Sequence, residues 1–332
     1  MKHRSFRPKA AIAVIATIVL LGGACDANAR HRQERELNIR HEMELAKRDF
    51  RAEQYDSAED HFKRALALDD NLIEARMGLA VAYTLQYVPG DLMQENMISW
   101  KKAVDAFQDL VEKDSKNAVA LKSLAALYVD VHEYSKARDF YSTATSANPD
   151  DADAYYGVGV TDWMAAYQDM AKRKSEAGLD TDAAFRNTPR DQKICMDLKG
   201  TNQTRVNDGL KNLTLAMENR QDFGDAKSFM SLLYQQKAEI ECGNLTARTE
   251  DLKLSRKFAL DAFTASNRAQ QQASQLPGSG HGNVGRGDDL DFSKIAEQIL
   301  PSPPPPPLPP PPPPPSPIRH ENGQSDTAGD QG

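Results

Sequence analysis

Apolar residues return along this chain at steps of four and three. Ala58, Phe62 and Ala65 have that spacing, as do Ala103, Phe107 and Leu110, and again Ala137, Tyr141 and Ala144. Offsets of this kind place the side chains on one face of an α-helix. Ahead of each set lies another apolar stretch in which a small residue recurs, at Ala46, Ala80, Ala125 and Gly159, with steps of 34, 45 and 34. The step of 45 is one period with an insertion around Pro89-Gly90-Asp91. The pattern predicts successive amphipathic helices in an all-α chain, with small residues at one set of positions and the large Phe62, Phe107 and Tyr141 at another.

The fourth unit departs from the period. Its first helix starts near Ala152 and runs through Trp163, Met164 and Tyr167 toward Lys174. The stretch from about 176 to 205, with Thr188-Pro189-Arg190 and Cys195, shows no repeat pattern and reads as one long insertion. A second helix resumes at Gly209, Leu213 and Ala216. A fifth first helix carries Ala226, Met230, Ser231 and Tyr234, and a helix from about Thr249 to Gln275 closes the stack.

The segment AVALKSLAALYVDVHEYSKARDFYSTATSANPDD, from Ala118 to Asp151, resembles the tetratricopeptide repeat. It has that family's L-A-x-x-Y, its A-x-x-x-Y-x-x-A and its closing Pro. The resemblance implies an α-solenoid of about five helix pairs over residues 39–275, two of them with insertions. A single pair cannot bury its apolar face alone, so the pairs must stack. It also implies a concave face of first helices that holds peptides. Stepping the repeat puts Met77, Val81, Lys122, Ala126, Tyr156, Val160 and Trp163 on that face. One subgroup of the family clamps a C-terminal carboxylate with Lys and Asn. The matching positions here are Met43 and Lys47, so the clamp is not reproduced and the face is mainly apolar. The alternative is that these residues pack against neighbouring helices or against the long insertion.

The two ends have a different composition. Lys2, Arg4, Arg7 and Lys9 precede an apolar run from Ala10 to Leu21, then Gly22, Gly23, Ala24 and Cys25. This is the layout of a bacterial export signal over residues 1–24. Leu21-Gly22-Gly23-Ala24-Cys25 resembles a lipoprotein box, with Cys25 acylated; cleavage after Ala29 is the alternative. At the other end, residues 276–332 read as a disordered tail. Fourteen of the chain's 19 prolines fall between Pro301 and Pro317, a run that favours polyproline II. Within the tail, 289–300 is a short amphipathic segment with Phe292, Ile295, Ala296 and Ile299 at offsets 3, 4 and 7. It reads as a docking helix for a partner or for the protein's own groove, around Val160 and Trp163.

Charge and chemistry narrow the function. The net charge is −7, and removing the four N-terminal bases takes it to −11. Such a chain lacks the basic footprint that nucleic acid requires. Export makes Cys195 and Cys242 candidates for a disulfide. Gly280-His281-Gly282-Asn283-Val284-Gly285 matches G-x-G-x-x-G by letter, but without a strand before it or a helix after it. His41 and His61 read as solvent-facing, and Asp69-Asp70 and Asp150-Asp151 as turns between repeats. No catalytic, metal or cofactor site emerges, and no small-molecule substrate. The expectation is a periplasmic or membrane-anchored protein that binds other proteins. The second reading is an envelope spacer whose Pro-rich tail contacts the cell-wall layer.

Overall fold

The protein is described from a computed structural model, over residues 9–91, 93–180, 185, 188–275 and 290–300. Side chains are described for these residues from 28 to 271 and over 290–300. The expected linker around 280–285 and the proline run lie outside these residues. Among the described residues there are eleven α-helices: α1 (Lys9–Arg51), α2 (Tyr55–Leu68), α3 (Ile73–Leu85), α4 (Gln94–Lys113), α5 (Ala118–Asp130), α6 (Tyr134–Ala147), α7 (Ala152–Glu176), α8 (Pro189–Asn219), α9 (Gly224–Glu239), α10 (Leu245–Gln275) and α11 (Phe292–Ile299). The first ten form five pairs, and every helix packs on the next in sequence. Odd-numbered helices also meet one another, α5 with α7 and α7 with α9, which makes them one face of a solenoid. Among the described residues no helix is long and apolar enough to cross a membrane.

The repeat residues do what their spacing suggests. Ala46, Ala80 and Ala125 are fully buried, as are Phe62 and Phe107, and Tyr141 is nearly so. Each large side chain of a second helix lies over a small position of the next first helix. The Phe62 ring sits where a Cβ on Gly78 would stand 2.4 Å away, and Tyr141 stands in the same relation to Gly157. At Gly159 a Cβ would come 2.5 Å from Leu213 and 3.1 Å from the Gly209 carbonyl oxygen, so α7 and α8 nearly touch backbone to backbone.

Helix starts follow local chemistry. Asn117 Oδ1 accepts from the Ala120 amide at 3.0 Å, and Asp151 Oδ1 accepts from the Asp153 and Ala154 amides at 3.0 Å. These side chains satisfy amides that the first turn of a helix leaves unpaired. Asp151 is therefore the cap of a repeat, consistent with its place in a turn.

The inserted stretch from 176 to 205 is largely helical: α7 extends to Glu176 and α8 begins at Pro189, so most of the inserted residues lengthen two helices. The start of α8 has ordinary signals. Thr188 Oγ1 accepts from the Asp191 amide at 3.1 Å, Pro189 opens the helix, and Asp191 supplies an acid in the first turn. One expectation is corrected: His61 is not solvent-facing. Its Nδ1 lies 2.7 Å from Glu42 and its Nε2 lies 3.6 Å from Asp49, with 13% of the side chain exposed. His41 is exposed.

Candidate functional site

The concave face is already occupied at one end. Helix α11 packs across α3 and α5. Leu290, Phe292, Ile295 and Ala296 are buried in one cluster with Met77, Val81, Phe50 and Phe62. Phe292 is the anchor, 2% exposed, with its ring 5.2 Å from Phe50 and 5.3 Å from Phe62, both edge to face. Such aromatic contacts stabilise by about 0.5–1.5 kcal/mol each beyond the burial itself. Asp291 caps the helix, accepting from the Ser293 and Lys294 amides at 3.1 and 3.3 Å. Eight residues are too few to hold a helix alone in water, so α11 depends on this seat.

One ion pair fixes the helix along the groove. Lys122 Nζ lies 3.4 Å from Glu297 and 2.9 Å from Asp151. Burial disfavours its charge, but Asp151 and Glu297 more than offset that, and the ammonium is held above its usual range. Ala126, one turn further along α5, is buried.

The other end of the face is filled from within. Tyr156 and Val160 are 2% and 1% exposed. The Tyr156 ring lies 4.9 Å from Phe223 and 5.7 Å from Phe229. Trp163 stacks on Tyr167 at 5.3 Å and meets Phe229 edge to face at 5.3 Å, while its carbonyl accepts from Gln236. The seven groove residues named from the sequence therefore divide. Met77 and Val81 join the cluster that receives α11, and Lys122 pairs with it. Tyr156, Val160 and Trp163 pack against α9. The expected seat of the docking segment, around Val160 and Trp163, moves to α3 and α5. Sequence reasoning missed Phe50, Phe62 and Phe292 meeting one another, because nothing local relates residues so far apart.

Where the two ends meet, a cavity of about 290 Å³ remains. Val119 and Tyr156 form part of its wall, with Phe223 from the α8–α9 turn and Leu300 just after α11. Arg220 lies over the Phe223 ring, 4.4 Å from its centroid, and pairs with Asp153.

Behind the rear half, Cys195 on α8 and Cys242 after α9 are joined as a disulfide with Cα atoms 5.6 Å apart. The bridge ties the lengthened α8 to the last pair. Next to it, Lys174 is buried and pairs with Glu239 at 2.7 Å. Cys25 lies on α1, and its side chain is outside the described residues. Three asparagines stand in Asn-x-Thr sequences: Asn202 is fully buried and donates to Asp169, Asn212 donates to the Asp208 carbonyl, and Asn244 is exposed.

Two carboxylates are held against their preference. Asp162 on α7 is fully buried, and burial raises it to about 6 despite Arg138 Nε at 2.7 Å. Arg138 also bonds Asp208 at 3.0 Å. Asp130 is raised to about 6 by burial as well. Between α1 and α2 the opposite holds: hydrogen bonds from Ser57 and Arg48 hold Asp49 below its usual range, and His61 does the same for Glu42.

No family model matches the chain, and no curated protein matches it. Several solved structures are similar in backbone. One described as the crystal structure of MamA is 15% identical, covering 68% of this chain and 97% of that one, with a TM-score of 0.45. One of YrrB, described as a TPR protein with an unusual peptide-binding site, is 16% identical over 68% of this chain and 88% of that one, at 0.41. A tetratricopeptide repeat protein from Parabacteroides merdae is 14% identical over 80% and 98%, at 0.33.

Proposed function

We propose that this chain is a non-catalytic protein-interaction scaffold of a bacterial cell envelope, tethered through Cys25, whose concave groove takes an amphipathic helix. The observation that carries the reading is α11 itself, seated on α3 and α5 through Phe292, Ile295 and Ala296. A solenoid face that accepts one such helix has the shape and chemistry to accept another. The seat defines the partner: an aromatic residue, an aliphatic one three and seven positions on, a small residue at the fourth, and an acid at the fifth to meet Lys122. Eleven residues must be ordered to seat a few large apolar side chains, at about 1–2 kcal/mol each in backbone entropy, so α11 is displaceable.

The test uses the full chain. A labelled peptide of residues 289–300 is titrated into the wild type and into a Phe292→Ser, Ile295→Ser variant. The variant should bind it at least about tenfold more tightly, because its own helix no longer competes. Equal affinities, or binding to neither, would sink the reading. The tether is tested separately by intact mass of the membrane-extracted protein. A chain starting at Arg30 without lipid would remove it.

A further inference from the structure

The cavity beside α11 is built for an extended, proline-rich segment, and we propose that its occupant is the chain's own residues 301–305, Pro-Ser-Pro-Pro-Pro. Three observations converge. Leu300, which follows α11, forms part of the cavity wall, so the chain reaches the cavity at the residue where the proline run begins. Tyr141, Tyr156 and Phe223 contribute aromatic surface to its wall, the last two with ring centroids 4.9 Å apart, and Arg220 lies over the Phe223 ring. Proline rings pack on aromatic faces of this kind, and a polyproline segment is already extended, so little entropy is lost when it docks. The third observation is the supply of donors. A polyproline backbone has carbonyl acceptors and no N–H of its own at proline. Lys122 and Arg220 line the cavity together with Asp153, Asp225 and Glu297. Lys122 pairs with Asp151 and Glu297 and Arg220 with Asp153, and an ammonium with three N–H groups and a guanidinium with five keep donors beyond those pairs.

The reach of the chain is compatible. Arg268 on α10 pairs with Asp222, the neighbour of the cavity residue Phe223. The end of α10 is therefore on the same side of the solenoid as the C-terminal end of α11. The fourteen residues from 276 to 289 can reach up to about 3.3–3.6 Å each, far more than the length of the eight-residue α11. The docked prolines would extend α11 into a single strap along the groove, with the helix over the front half and the extended run over the middle.

This inference rests on the seat of α11, and its test separates the two. In the full chain, p-benzoylphenylalanine replaces Pro303 in one variant and Glu297 in another. After irradiation the captured residues are identified by mass spectrometry. The 297 probe should capture α5 near Lys122, which reports the seat of the helix. The 303 probe should capture Val119, Tyr156 or Phe223 of the same molecule. Its yield should fall severalfold with Phe223→Ala, and also in excess free peptide of residues 301–315, a control that leaves the fold untouched. If the 297 probe captures α5 while the 303 probe captures other residues or a second copy, the proline site is wrong and the helix site stands. If neither captures its target, both fall.

Discussion

At equivalent positions of the repeat, the front and rear of the concave face hold different side chains. Met77 in α3 corresponds to Tyr156 in α7, and Thr84 corresponds to Trp163. Two aromatic side chains thus stand in the rear where the front has a thioether and a hydroxyl. Each aromatic can bury about 150–250 Å². In the rear they meet Phe223 and Phe229 and close the face with residues of adjoining helices. In the front the smaller side chains leave a channel, and Phe292 of α11 supplies the missing ring. The lesson is that one repeat face can be a core or a binding site, depending on whether the rings come from the next repeat or from elsewhere.

The largest expected effect tests that contrast directly. Phe229 is fully buried between Tyr156 and Trp163. Phe229→Ala should cost about 4 kcal/mol in urea unfolding, the range for a core Phe. Phe292 is nearly as buried, but its loss is capped: once α11 releases, no more can be lost than its docking free energy. Phe292→Ala should cost no more than about 2 kcal/mol, with α11 amides losing hydrogen-exchange protection while those of α7 keep it. Equal costs would mean that α11 belongs to the cooperative core.

The second effect is specific to the rear. Removing the bridge with Cys195→Ser and Cys242→Ser opens a loop spanning 47 residues. The expected loss is about 3 kcal/mol. Hydrogen exchange should rise in α8 and α10 and stay unchanged in α3 and α5. Two free thiols in the purified protein, found by labelling under non-reducing denaturation, would break this prediction.

The third is a pH dependence. Asp162 is raised in the folded state to about 6 from 3.8, chiefly by burial. The folded chain therefore favours the protonated form. This group's contribution is fully present below pH 3.8 and is lost as pH rises through about 6. Asp162→Asn removes that dependence, so the wild type should lose up to about 2 kcal/mol more than the variant between pH 4 and pH 7. Asp130 shifts the same way and is common to both chains, so the difference between them isolates Asp162. At Asp49 on α1 the sign reverses. Asp49 lies below 3.8, so its contribution is present above that value and is lost as pH falls through its lowered pKa. A difference curve that is flat between pH 4 and pH 7 would show that Arg138 fully compensates Asp162.

The repeat was legible because its signal is local. The spacing of Ala58, Phe62 and Ala65 needs only one helix to be read, and the amphipathic offsets of Phe292, Ile295 and Ile299 likewise. The seat of α11 was not legible, since it depends on Phe50 and Phe62, which lie more than two hundred residues earlier in the sequence. The start of α8 falls between these cases. Thr188, Pro189 and Asp191 are a cap, a first-turn proline and a first-turn acid, but the absence of a repeat period over that stretch drew attention away from them. The burial of Tyr156, Val160 and Trp163 was left open because a periodic face does not say which neighbour covers it.

The smallest expected effect lies in the turns within the helix pairs. The rear turn after α7 uses Gly178 at φ 64°, where a glycine has no Cβ to strain. Glycine also serves the front at Gly90 and a side chain also serves the rear at Cys242, but two front turns use Glu53 at φ 58° and His132 at φ 61°, which occupy the same position of the repeat. A side chain in this left-handed region costs about 1–2 kcal/mol, and glycine gives back about 0.5–1 of that through its freer unfolded chain. Glu53 is exposed, and only its turn holds it, through its amide to the Phe50 carbonyl at 3.0 Å. Glu53→Gly should therefore raise stability by about 0.5 kcal/mol. His132→Gly should gain less, because its Nδ1 lies 2.8 Å from the Tyr134 hydroxyl and that hydrogen bond is lost. Both are read by thermal melts of the full chain. If Glu53→Gly instead lowers the midpoint, the glutamate makes a contribution in its turn that outweighs its backbone strain.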